Sequence, residues 1–165
     1  MGASDFSKLP HIGESVRRKE DYRFLTGAGQ YTDDIVLAAQ SFAVFVRSPH
    51  AHARVVSINS DAAKAAPGVI GVFTGADVAA DNINGLPCGW LITSTNGEPM
   101  KEPPHPILAQ GKVRYVGDGV AMVVAETLQQ ARDAAERVEV DYDVLPAVVN
   151  VQDAAAGAVA GAGLH

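Results

Sequence analysis

Two stretches of this chain carry the same order of signals, and a long interval rich in proline and glycine holds them apart. In the first, Phe42-Ala43-Val44-Phe45-Val46-Arg47 is a dense apolar run of the β-branched and aromatic types that suit a pleated surface. Ser48-Pro49-His50 ends it, because proline has no ladder N–H and restricts the residue before it. A second strand is expected from about Arg54 to Ile58. Asp61-Ala62-Ala63-Lys64-Ala65-Ala66 has helical composition, Pro67-Gly68 stops it, and Val69 to Phe73 resumes as a strand. Thr74-Gly75-Ala76-Asp77 has capping-box spacing, so a turn of helix is expected to start there.

The second stretch begins at Val113. Val113–Val116 and Val120–Ala125 are apolar runs on either side of Gly117-Asp118-Gly119, which predicts a hairpin. Thr127, with Gln130 three residues on, predicts a capped helix from Leu128 to about Arg137. Its apolar stripe is expected to be Leu128, Ala131, Ala135 and Val138. Val138, Val140, Tyr142 and Val144 then alternate with Glu139, Asp141 and Asp143, the pattern of a half-buried strand with an acidic outer face. Strand, strand, helix, strand thus occurs twice, a loose duplication of topology with little repetition of residues. The expected class is α/β (α+β), with helices packed on a mixed sheet.

Residues 1–40 are mostly polar and read as an N-terminal arm with one short ordered element. The domain proper is expected over 41–150, with a Pro/Gly-rich loop at 81–110. That loop holds Gly85, Pro87, Gly89, Gly97, Pro99, Pro103, Pro104 and Pro106, and loops of such length are functional, docked or disordered. After Asn150 the composition turns to alanine and glycine, so 151–165 reads as a tail or linker. At 165 residues and 47% hydrophobic the chain is long and apolar enough for one real core.

Composition also narrows the partners. A net charge of −6 without a basic run argues against nucleic acid, since neutralising phosphates needs clustered Lys and Arg. No stretch approaches the ~20 apolar residues of a membrane span. The first residues lack the apolar core of a secretory signal, so the expected location is the cytoplasm. The single cysteine excludes an intramolecular disulfide, a four-cysteine zinc site and an iron–sulfur cluster carried by this chain alone.

None of the candidate chemical motifs holds together. Gly27-x-Gly29 has Thr32 at the last glycine position of the dinucleotide fingerprint and no strong strand before it. His50 and His52 share a face if their stretch is extended, but a third metal ligand is not tied to them, His11 and His105 being distant in sequence. Ser48 beside His50 is not thereby a nucleophile with its base, since adjacency does not supply the geometry. Cys88 has no neighbouring cation in sequence to activate it. Asp33-Asp34 and Asp141/Asp143 are explained by a turn and an exposed strand face. No catalytic, cofactor-binding or metal-ligating residue is assigned.

The residues in order nevertheless have a familiar look. Ile12-Gly13, Val16-Arg17-Arg18-Lys19-Glu20-Asp21-Tyr22-Arg23-Phe24-Leu25-Thr26-Gly27 and Gly29-Gln30-Tyr31-Thr32-Asp33-Asp34 come first. Val46-Arg47-Ser48-Pro49-His50-Ala51-His52-Ala53-Arg54, Pro67-Gly68-Val69 and Thr74-Gly75-Ala76-Asp77-Val78 follow. Pro106-Ile107-Leu108-Ala109, Lys112-Val113-Arg114-Tyr115-Val116-Gly117-Asp118, Val140-Asp141-Tyr142 and Leu145-Pro146-Ala147-Val148 complete the set. Together they resemble the opening of the molybdenum-binding large subunits of the xanthine dehydrogenase, aldehyde oxidase and carbon monoxide dehydrogenase family, the region known as the a/b hammerhead domain. One departure is Gly119, where that family usually has proline after Val-Gly-Asp.

The resemblance implies an N-terminal structural and assembly portion of a molybdenum hydroxylase, an oxidoreductase, with no catalysis of its own. No cofactor is expected in this chain, because nothing in it matches the family's pterin-contacting segments or its catalytic glutamate. Molybdopterin cytosine dinucleotide, iron–sulfur clusters and FAD are expected in the full complex. The implied partners are the remainder of the large subunit, an iron–sulfur subunit and a flavin subunit. Arg17, Arg18, Arg23, Arg47, His50, His52 and Arg54 are the expected interface residues, being more polar and cationic than a domain core requires. The alternative is a free-standing binding or assembly module without enzymatic partners.

Overall fold

The computed structural model describes residue 13 and residues 15–155. Two compact units divide the chain, one up to Ala38 and one from Ala39. In the first, helix α1 (Asp21–Leu25) starts where the Asp21 carboxylate accepts from the Arg18 backbone N–H at 3.2 Å and the Arg18 Nε at 2.9 Å. It ends where the Thr26 hydroxyl donates to the Tyr22 carbonyl at 2.8 Å. A single turn of 3-10 helix covers Thr32–Asp34, and the Phe24 and Tyr31 rings stack at 5.3 Å.

The second unit holds strands β1 (Phe42–Arg47), β2 (Ala53–Asn59) and β3 (Val69–Thr74), with helix α2 (Asp61–Lys64) between the last two and α3 (Gly75–Ala80) after them. Strand β4 (Lys112–Val113), strand β5 (Gly119–Ala125), helix α4 (Leu128–Ala135) and strand β6 (Glu139–Val144) follow, with a last turn of helix α5 (Val151–Ala155). The single mixed sheet expected from the sequence is in fact two three-stranded sheets, ordered β1-β5-β3 and β4-β2-β6, with every pairing antiparallel. The two halves have exchanged their middle strands: β5 of the second lies between β1 and β3 of the first, and β2 returns the exchange.

Burial explains the choice of β5. Val120, Ala121, Val123 and Ala125 are all fully buried, and the period of two sends them to different cores. Ala121 and Val123 join Ala63, Ala66, Val72, Ala134 and Val138 under the helices, while Val120 packs with Ala53, Ala109 and Val113. Helix α4 can lie close on its sheet because its inner residues are Ala131 and Ala134. The expected stripe is corrected here, since Leu128 is 38% exposed and Ala134 takes the buried place. Val144 likewise points to solvent rather than inward.

The hairpin expected around Gly117-Asp118-Gly119 does not form. Strand β4 is only two residues long and pairs with β2, not β5. The reason is local: the Asp118 carboxylate accepts the Arg114 N–H at 3.1 Å and the Asp118 N–H reaches the Tyr115 carbonyl at 3.2 Å. That closes a turn with Gly117 at φ +91°, a conformation other L-residues rarely adopt. A strand cannot run on through it.

The proline- and glycine-rich interval has a fold of its own. The Leu86 N–H meets the His105 carbonyl at 2.9 Å, the Met100 N–H meets the Ile92 carbonyl at 3.0 Å, and Thr93 bridges Pro99. The Ser94 N–H closes on the Glu98 carbonyl at 2.8 Å, with Asn96 and Gly97 turning at the tip. Residues 86–105 are therefore a narrow hairpin-like finger. Its return leg ends in the core, where Leu108 and Ala109 are buried. No helix among the described residues is long and apolar enough to cross a membrane.

Candidate functional site

Of the polar residues singled out in the sequence, Arg47, Ser48 and His50 lie where the two halves cross. The β1–β2 connection and the β4–β5 connection occupy equivalent places in the duplicated topology, and they bond to each other. The Ser48 N–H donates to the Asp118 carbonyl and the Gly117 N–H to the Ser48 carbonyl, both at 2.8 Å. Arg47, stacked over the Phe45 ring, adds a bond from its guanidinium to the Gly117 carbonyl at 2.8 Å. Ser48 sits at the centre and is only 2% exposed.

The Ser48 hydroxyl shows what this centre can do. Its Oγ accepts the His50 backbone N–H at 3.0 Å and lies 3.0 Å from the His50 carbonyl, which closes a tight turn. The nearby Tyr142 phenol has its pKa raised by burial first, with Ser48 opposing the shift and the Asp118 charge adding to it. Partial desolvation likewise raises Tyr115, helped by the charge of Asp118 and the hydrogen bond between them. The serine engages the backbone of His50 rather than its ring, so there is no nucleophile–base pair.

The two histidines diverge. The His50 ring stands edge-on to Tyr142 with centroids 5.0 Å apart, whereas His52 Nδ1 lies 2.7 Å from the Pro146 carbonyl. The stretch between β1 and β2 bends, so it offers no shared face for a metal. Arg54 pairs with Asp143 at 3.1 Å across the β2–β6 ladder, with both side chains mostly solvated. In the arm, Arg18 pairs with Asp21, Arg23 lies over the Phe24 ring, and Arg17 is exposed. The sequence reading missed Asp118 and Tyr142 as members of the polar centre. The available signal was Asp118 between two glycines, which marks a carboxylate with a backbone to bind rather than a solvated turn.

A second feature is an apolar recess of about 310 Å³ on the sheet face that carries Phe45, Phe73 and Met122, floored by Leu108 and rimmed by Asp77 and Asp81. Among the described residues no buried side-chain nitrogen or oxygen lacks a hydrogen-bond partner, and no three His, Cys, Asp or Glu residues group around a metal position.

The polar centre ties backbone to backbone. The chain belongs to the family described as aldehyde oxidase and xanthine dehydrogenase, a/b hammerhead domain, whose model matches residues 26–146. It is 41% identical over 143 residues to the carbon monoxide dehydrogenase large chain of Afipia carboxidovorans, covering 87% of this chain and 16% of that one. It is 36% identical over 132 residues to the xanthine dehydrogenase molybdenum-binding subunit of Escherichia coli O157:H7, covering 80% and 17%. Among solved structures, quinoline 2-oxidoreductase from Pseudomonas putida 86 superposes with a TM-score of 0.75 at 42% identity, over 88% of this chain and 18% of that one. The chain thus spans a fifth or less of the length of such relatives.

Proposed function

We propose that this chain is the N-terminal structural and assembly portion of a molybdopterin-dependent hydroxylase of the xanthine dehydrogenase, aldehyde oxidase and carbon monoxide dehydrogenase type. The carrying observation is the family match over most of this chain but under a fifth of the molybdenum-binding relative, together with a polar centre that only ties the fold. The chemistry then resides in the remainder of the large subunit. Molybdopterin cytosine dinucleotide belongs there, with iron–sulfur clusters and FAD on an iron–sulfur subunit and a flavin subunit, all in the cytoplasm. One relative, from Paenarthrobacter nicotinovorans, carries the name 6-hydroxypseudooxynicotine dehydrogenase complex subunit gamma, which supports a multi-subunit setting.

Contact with those partners runs through the arm cations Arg17, Arg18 and Arg23 and the solvated sides of Arg47, His50, His52 and Arg54. The test is co-expression of the tagged chain with the rest of its large subunit. A molybdopterin-containing chain should co-purify, and the tagged chain alone should turn over no aldehyde, purine or carbon monoxide. Turnover by the single chain, or failure of the two chains to associate, overturns this reading. The double variant Arg47→Ala/His50→Ala should weaken association while leaving the circular dichroism unchanged.

A further inference from the structure

The finger carries the largest unexplained apolar exposure in the second unit. Trp90, Leu91 and Ile92 are consecutive and 79%, 66% and 55% exposed, and Leu86 on the same leg is also largely solvated. Three exposed apolar residues in a row do not arise from folding needs alone, and an exposed tryptophan is the residue type of a binding anchor. The leg is held rather than loose. Cys88 donates its N–H to Glu102 at 3.1 Å, Ile92 accepts from Met100, and the tip is closed by Ser94 and Glu98. A pre-ordered anchor loses little entropy on docking.

We infer that residues 86–105 are a docking finger whose Trp90–Leu91–Ile92 edge inserts into an apolar cleft of the remaining large subunit. The inference rests on the functional reading above. The occupant follows from two facts: the relatives carry at least four-fifths of their length beyond this domain, and the family match of 26–146 runs through the finger. The cleft must be apolar to take the indole and must offer one acceptor for its N–H, since a buried tryptophan needs that bond.

Trp90 is the only tryptophan in the chain, so it reports on itself. The chain is produced with 5-hydroxytryptophan at position 90 and titrated with the remainder of its large subunit, expressed as a separate polypeptide. Emission should shift to the blue and lose access to iodide as the two chains co-elute. Trp90→Ala should weaken association by roughly thirtyfold, the scale of a hot-spot truncation. Because Trp90 is exposed, that variant should melt with the parent. Co-elution with unchanged emission, or W90A affinity within about twofold of the parent, overturns the finger while leaving the functional reading intact. Absence of any association overturns both. Concentration-dependent burial of the probe without the partner would assign the finger to a second copy of this chain, and would equally overturn the inference.

Discussion

The two exchanged strands occupy the same position in their sheets and meet opposite environments. Strand β5, Gly-Val-Ala-Met-Val-Val-Ala, buries residues on both faces. Strand β2, Ala-Arg-Val-Val-Ser-Ile-Asn, buries Ala53 and half-buries Val55 and Ile58, and the rest is solvated. Its other face carries Arg54, Ser57 and Asn59, each bonded across to Asp143, Asp141 or Glu139 on β6. Central position alone does not make a strand a core strand. What decides it is whether both faces are covered, and only the first sheet has helices on one side with Leu108 and Ala109 on the other.

The sharpest way to break the comparison is one substitution on each strand. Val123→Asp places an unpaired carboxylate among Ala121, Ala134 and Val138 and should cost at least about 4 kcal/mol, enough to unfold a domain of this size. Val56→Asp on β2 should stay within about 0.5 kcal/mol, because Val56 is 66% exposed and is the extra residue at the register shift between Val55 and Ser57. Urea denaturation followed by circular dichroism separates the two outcomes. Equal losses would mean that the solvated face of β2 is covered.

Much of this contrast could be read in the sequence, and the reason is periodicity. The unbroken apolar run of β5 and the alternation of β6 carry their burial pattern locally, as do the caps at Thr74 and Thr127. The strand exchange could not be read. Pairing partners are set by contacts distant in sequence, and the Gly117-Asp118-Gly119 segment has the residue types of both a hairpin turn and a crossing between sheets. The polar centre was legible only as parts. His50, His52 and Ser48 offer chemistry on paper, yet their roles depend on Asp118 and Tyr142, which the exchange brings to them. The finger was hidden for a related reason: its backbone bonds join Leu86 to His105, and proline and glycine content reads as disorder whether or not such bonds exist.

The next effect in size tests the crossing against the open ladder. Ser48→Ala removes the partner of the His50 N–H and of the His50 carbonyl in a buried place, and should cost about 1–3 kcal/mol. Arg54→Ala deletes a solvated ion pair and should cost no more than about 1 kcal/mol, less at high salt. If the order is reversed, the two connections are not what locks the halves together.

The smallest effect separates the two helix caps. Thr127 Oγ1 accepts the Gln130 N–H at 3.2 Å and its hydroxyl meets the Gln130 side chain at 2.9 Å, neither of which titrates. At α3 the Asp77 carboxylate accepts both the Thr74 hydroxyl at 2.8 Å and the Thr74 N–H at 2.7 Å. Those bonds, the hydroxyl first, hold the Asp77 pKa below its ordinary value. A depressed carboxylate contributes stability that is fully present above the unfolded value of about 3.9 and is lost as pH falls through the lower folded value. Acidification should therefore lower the amide-exchange protection factors in the first turn of α3 before it does so in the first turn of α4. Asp77→Asn, which keeps an acceptor but cannot titrate, should flatten that difference. Parallel loss in both helices would place the acid-sensitive group elsewhere in the unit, and the cap at Asp77 would then be a bystander.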